Sequence, residues 1–129
     1  MQGQTGHDTP SEATLVAVER FNDAFNRQDM EALMALVTDD CVFENTYPPP
    51  DGARFAGREA VRTAWAEFFE SSPQATFESE ELFACGDHAV VRWLYCWVDA
   101  NGRAGHVRGV DVLRVRDGKV AEKLAYVKG

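Results

Sequence analysis

Between about residue 74 and residue 127 the chain consists of four long strand-like segments in direct succession, near 74–84, 88–98, 104–116 and 119–127. They are rich in Phe, Val, Trp, Leu and Tyr and are parted only by "CGD", "DANGR" and "RDGK". Each connector holds a Gly suited to a positive-φ turn position and is too short for a crossover, so the segments are predicted to be consecutive hairpins. The preceding half reads as helix. "TPSE" makes Thr9 an N-cap, Pro10 the first helical residue and Glu12 the capping-box partner. Leu15, Val18, Phe21 and Phe25 then recur at three- and four-residue spacing to about Asn26. Asp29 caps a second, shorter helix whose Met30, Leu33, Met34 and Val37 turn inward. From Cys41 to Thr46 the period changes to two, with Cys41, Phe43 and Asn45 on one face, and prolines end the strand. Gly57 precedes a third helix with Val61, Trp65, Phe68 and Phe69 on its apolar face, which stops near "SSP". Three helices followed mainly by an antiparallel meander make an α+β domain with the helices on one face of the sheet.

Residues 1–8, polar and glycine-containing, are expected to be a disordered tail, and 9–129 a single domain. An apolar content of 45%, with 11% aromatic, suffices for a core. The net charge of −8 disfavours nucleic acid and anionic membrane surfaces as partners. No apolar run approaches the roughly 20 residues that span a bilayer, and a soluble cytoplasmic protein is expected. Cys41, Cys85 and Cys96 are odd in number and widely spaced, so they are expected to be reduced, buried thiols, with neither a metal site nor a cofactor.

"VERFNDAFNRQDMEALMALVTDDCVFEN", "FAGREAVRTAWAEFF" and "RGVDVLRVRDGKVAEKLAYV", in this order, resemble the nuclear transport factor 2-like superfamily, especially its SnoaL-like and ketosteroid isomerase-like members. The resemblance runs from about Thr9 to Val127. It implies a cone: a strongly curved antiparallel sheet with three helices on its concave face, an apolar ligand pocket at the open end, and frequent dimers.

Two enzyme groups of that superfamily serve as tests. Asp111 falls on the oxyanion-hole Asp of ketosteroid isomerases, but Phe21 stands in place of their helix Tyr and Asn45 in place of their Asp base. Asn cannot hold a proton at neutral pH and Phe offers no donor, so that isomerisation is disfavoured. In limonene epoxide hydrolases, Asn45 and Arg92 fall on the water-positioning Asn and the Arg, while Leu94, Ala125 and Phe43 replace two Asp and a Tyr. With neither carboxylate, epoxide opening is disfavoured as well.

The residues left to carry chemistry are Asp111 as the proton-transferring group, with Arg92 and Asn45 positioning or stabilising charge. Phe21, Phe43, Tyr47, Trp65, Leu94 and Lys123 are the expected ligand contacts. Lys123 depends on the "RDGK" turn. A type I turn with a bulge at Gly118 sets Lys123 opposite Asp111, whereas a two-residue Asp117–Gly118 turn sets Leu124 there; the resemblance favours the first. On the expected parity Trp93, Trp97, Val110 and Val112 face away from Asp111 and Arg92. That outer face is then apolar, which predicts a homodimer packed through it. The function expected is acid–base chemistry of isomerase, cyclase or hydrolase type on a small hydrophobic metabolite, or else a ligand-binding or dimerisation module without catalysis.

Overall fold

The computed structural model describes residues 9–129. The tail expected over residues 1–8 lies outside the described residues. Helix α1 (Pro10–Asn26) starts at the capping box: the Glu12 N–H donates to Thr9 Oγ1 at 3.0 Å and the Thr9 N–H to Glu12 Oε1 at 3.4 Å. Its buried stripe is Thr14, Ala17, Val18, Phe21, Ala24 and Phe25. Helix α2 (Met30–Met34), capped by Asp29, is one turn shorter than its periodicity suggests, because Val37 already belongs to strand β1 (Val37–Glu44). Strand β2 (Arg54–Ala56), a three-residue edge strand, precedes helix α3 (Arg58–Ser71), which buries Val61 and Trp65. The meander follows as β3 (Thr76–Cys85), β4 (His88–Val98), β5 (Ala104–Arg116) and β6 (Lys119–Val127).

These six strands form one open sheet in the order β2-β1-β6-β5-β4-β3. It is mixed rather than wholly antiparallel: β1 runs parallel to β6, with Phe43 beside Lys123. The helix α3 carries the chain from the β2 edge to the far edge at β3, and four hairpin-linked strands then return to β1 in its own direction. Helices α1 and α3 lie against one face of the sheet, as the cone-like α+β description requires. The α1 N-terminus also anchors the β3–β4 turn. Ser11 Oγ accepts the Gly86 N–H at 2.9 Å and Thr14 Oγ1 donates to the Gly86 carbonyl at 2.7 Å.

Two register details differ from expectation, and both bear on the site. Asp117 and Gly118 both have positive φ, 54° and 76°, so the β5–β6 connection is the two-residue turn, with Arg116 opposite Lys119. Leu124 nevertheless does not face Asp111. An extra residue in β6, Ala121, shifts the register between the Val115–Val120 and Arg114–Glu122 pairs, leaving Ala125 opposite Asp111 and Lys123 opposite Leu113. The bulge restores the parity the turn alone would have reversed, so Lys123 shares a face with Asp111. In the β4–β5 hairpin, Val91 is opposite Asp111 and Arg92 opposite Val110. Arg92 and Asp111 therefore point to opposite faces, and Trp93 and Trp97 share the face of Asp111.

The core lies between α1, α3 and the inner face of the sheet. Phe21 and Leu113 are fully buried, and Phe21 packs edge-on against Trp65 with ring centroids 5.5 Å apart. Cys41 is buried, and burial pushes its thiol above the ordinary value, whereas Cys85 is exposed and Cys96 half-buried, contrary to the expectation of three buried thiols.

Candidate functional site

A cavity of about 680 Å³ opens between α3 and the inner face of the sheet. Its wall is largely aromatic: Phe25 from α1, Phe43 from β1, Trp65 and Phe68 from α3, Phe77 from β3, and Trp93, Tyr95 and Trp97 from β4. Phe77 stacks on Tyr95 at 4.6 Å, and Tyr95 lies 5.4 Å from Trp97. The segment Ser71–Ala75 and residues Asn45–Tyr47 also line it, and Tyr47 is 75% exposed.

Glycines clear the ground for two of the indoles. Trp93 faces Gly109 across the β4–β5 pair, and Trp97 faces Gly105. A Cβ at Gly109 would lie 2.4 Å from a Trp93 ring carbon and 2.3 Å from the Tyr126 carbonyl oxygen. One at Gly105 would lie 2.6 Å from the Trp97 ring. Each ring lies against its neighbouring strand because no side chain occupies that spot. The repeated four-residue spacing, Trp93 with Trp97 and Gly105 with Gly109, is the signal in the sequence that would have set these tryptophans on the cavity wall.

Two charged side chains also line this cavity. Asp111 is 6% exposed and Lys123 7%, with Lys123 Nζ 3.4 Å from Asp111 Oδ2. The ammonium also lies over the rings of Phe25 and Phe43, 4.9 and 5.1 Å from their centroids. Those ring faces partly replace the water that a buried cation loses. Asp111 Oδ1 has no hydrogen-bond partner, and neither has the indole Nε1 of Trp65 or of Trp93. Asp111 is the only carboxylate in the wall among the described residues.

The other expected site residues lie as follows. Phe43, Tyr47, Trp65 and Lys123 line the cavity with Asp111. Asn45 reaches its rim, but its Oδ1 accepts the Ala53 N–H at 2.7 Å and the Tyr47 N–H at 3.3 Å. Its side-chain oxygen is thus committed to closing the proline loop. Gly52 packs so tightly there that a Cβ would strike the Asn45 carbonyl. Phe21 is not in the wall, because it is core packed against Trp65. Arg92 and Leu94 lie on the outer face, where Arg92 Nε donates to Glu81 Oε1 at 2.9 Å, with both side chains about half exposed. Lys123, not Arg92, is the cation beside Asp111. His106 is exposed on that outer face. Among the described residues no cluster of His, Cys, Asp or Glu could hold a metal ion, and no helix is long and apolar enough to cross a membrane.

The sequence pattern of the SnoaL-like domain matches residues 18–123. No curated protein matches the chain. Among solved structures, an NTF2-like protein of unknown function from Mesorhizobium loti is 45% identical, with a TM-score of 0.79 over 95% of this chain and 97% of that one. A candidate ketosteroid isomerase from Kribbella flavida, 22% identical, superposes with a TM-score of 0.80 over 94% and 82% of the two chains. A candidate polyketide cyclase from Xanthomonas campestris, 20% identical, does so at 0.76 over 93% of each. These last two likenesses are of fold.

Proposed function

The chain belongs to the family of SnoaL-like domains of the NTF2-like fold, and on that premise we propose that it is an acid–base enzyme acting on a small, flat, apolar metabolite held in the aromatic cavity. The observation that carries this reading is the buried Asp111–Lys123 pair in the cavity wall, with one carboxylate oxygen left free. Asp111 is the proton-transferring group. Lys123 holds the carboxylate in place and stabilises negative charge that develops beside it. A ligand in this site exchanges water for ring faces on most of its surface, which strengthens every electrostatic contact at the buried end.

Asp111→Asn keeps the shape and removes the proton acceptor. The variant strands the Lys123 ammonium and should lose about 3–5 kcal/mol of stability; assayed where it is folded, with enolisable and ring-closing ketones as substrates, its turnover is expected to fall by a factor of about 100 or more. Equal turnover in both proteins would sink the assignment. A second reading is favoured by Asp111 being the lone carboxylate in the wall among the described residues: the domain binds its ligand and does no chemistry. Ligand binding with no turnover across that panel selects it. The outer sheet face, where Leu94, Val110, Val112 and Leu124 lie among ion pairs, supports a homodimer packed through that face, and light scattering of the eluted protein tests it.

A further inference from the structure

Resting on the reading that the cavity takes a ligand, we propose that the buried Asp111–Lys123 pair has a second opening, the size of a water molecule, between α1 and β3. Through it the pair exchanges protons with solvent while ligand fills the cavity.

A cleft of about 30 Å³ reaches the pair by a route that shares neither Tyr47 nor the segment Ser71–Ala75 with the cavity. Asn22, Asn26 and Ser79 form its outer end; Asn26 and Ser79 are exposed and Asn22 is half-buried. Asp111 and Lys123 form its inner end, and their side chains keep 8% and 9% of their surface accessible. The pair is therefore enclosed but not sealed.

The sequence builds this cleft by interrupting two apolar surfaces at one place. On α1, Asn22 follows Val18 by four residues and precedes Phe25 by three, at the edge of the buried stripe. On β3, Ser79 shares the inner face with Phe77 and pairs with Trp93, just before the register shift between Ser79 and Glu81. Asn26 ties the two walls together, since its Oδ1 accepts the Phe77 N–H at 3.3 Å. Phe25 and Phe77, with ring centroids 5.7 Å apart, border both spaces and partition them.

Size and polarity fix what enters. The volume has room for a water or two and for no organic molecule. The walls offer that water the Asn22 amide, the Ser79 hydroxyl and the charged pair, enough for the roughly three hydrogen bonds a buried water makes. A proton that leaves Asp111 for this water is matched by one that the water passes to bulk solvent, so no net charge builds up inside. An acid–base group shut behind its ligand is thereby reset without release of that ligand. One water does not stand in for a lost counter-charge, so the two charges still depend on each other.

Two measurements test this. A high-resolution crystal structure of the full-length chain, free and soaked with naphthalene as the probe, should in both cases show an ordered water in the cleft, hydrogen-bonded to Asp111 or Lys123. A dry cleft overturns the inference. With lysine isotopically labelled, NMR gives the rate at which the Lys123 ammonium protons exchange with water. Naphthalene alone should leave that rate close to that of the free protein, because the cleft stays open. Asn22→Leu alone should do the same, because the cavity stays open. Together they should slow exchange at least about 10-fold, since it then waits on local opening. Ser79→Val, which fills the cleft from the other wall, should reproduce the effect. If naphthalene alone slows exchange as far as the combination does, or the combination slows nothing, the second opening is refuted while the cavity still binds ligand. If naphthalene does not bind, the ligand-binding reading falls, and the crystallographic water alone decides whether the cleft is a second opening.

Discussion

The two faces of the sheet are made from alternate residues of the same strands, and both carry ion pairs. On the outer face Arg92 meets Glu81 and Arg108 meets Glu80, each at 2.9 Å and in reach of water. On the inner face Lys123 lies 3.4 Å from Asp111, with both almost wholly enclosed by rings and aliphatic side chains. The shorter contacts matter less. Water and salt screen the outer charges, and either partner can be solvated if the other is lost. On the inner face neither charge has another solvent, so the pair stands or falls as a unit. Distance alone therefore does not rank ion pairs; what surrounds them does.

The largest effect is expected from breaking the inner pair on one side only. Lys123→Met leaves Asp111 buried without a counter-charge and should cost about 3–5 kcal/mol in denaturant unfolding. Adding Asp111→Leu should recover most of that loss, because two apolar side chains can fill the same space. A single variant as stable as the parent would erase the contrast between the faces. A smaller effect is expected at Gly109, where the inner wall depends on a missing side chain. Gly109→Val must displace Trp93 or the β6 backbone and should cost about 1–3 kcal/mol, with a change in near-ultraviolet circular dichroism from the moved indole. The smallest effects belong to the exposed pairs. Arg92→Ala should shift stability by about 0–1 kcal/mol and leave probe affinity unchanged. Arg116→Ala sharpens the same point through pH. The Arg116 hydrogen bond holds the exposed Asp40 carboxyl at about 2, below its ordinary 3.8. A carboxyl lowered by folding stabilises the protein above its ordinary value and loses that contribution as the pH falls through about 2. Urea midpoints of parent and variant should therefore differ slightly near neutrality and converge in acid.

Much of the fold is legible in the chain. Thr9, Pro10 and Glu12 mark the start of α1, the spacing of Val61, Trp65 and Phe68 marks the buried face of α3, and the glycine-bearing connectors mark the turns. In the site, Asp111 is legible as a buried acid because its neighbours Val110 and Val112 leave it no polar face to belong to. Arg92 was assigned to the wrong side for a definable reason. Alternation says which residues of a strand share a face, but not which face is inner when both carry apolar residues. Relating β4 to β5 needs the length of the loop between them. Asp99 Oδ1 accepts the N–H groups of Asn101 and Arg103, closing a five-residue loop that pairs Val98 with Ala104. One residue more or fewer would have put Arg92 beside Asp111.

Taken alone, the sequence determined the elements, their order and the presence of a buried acid, because capping, periodicity and turn chemistry act over a few residues. Only the tertiary structure decided what meets that acid. The Ala121 bulge returns Lys123 to its face, the parallel pairing of β1 with β6 sets Phe43 beside Lys123, and the glycines of β5 admit the indoles of β4. Each is a matter of register between strands, and register depends on the loops and bulges that join them and on how their side chains pack once they meet.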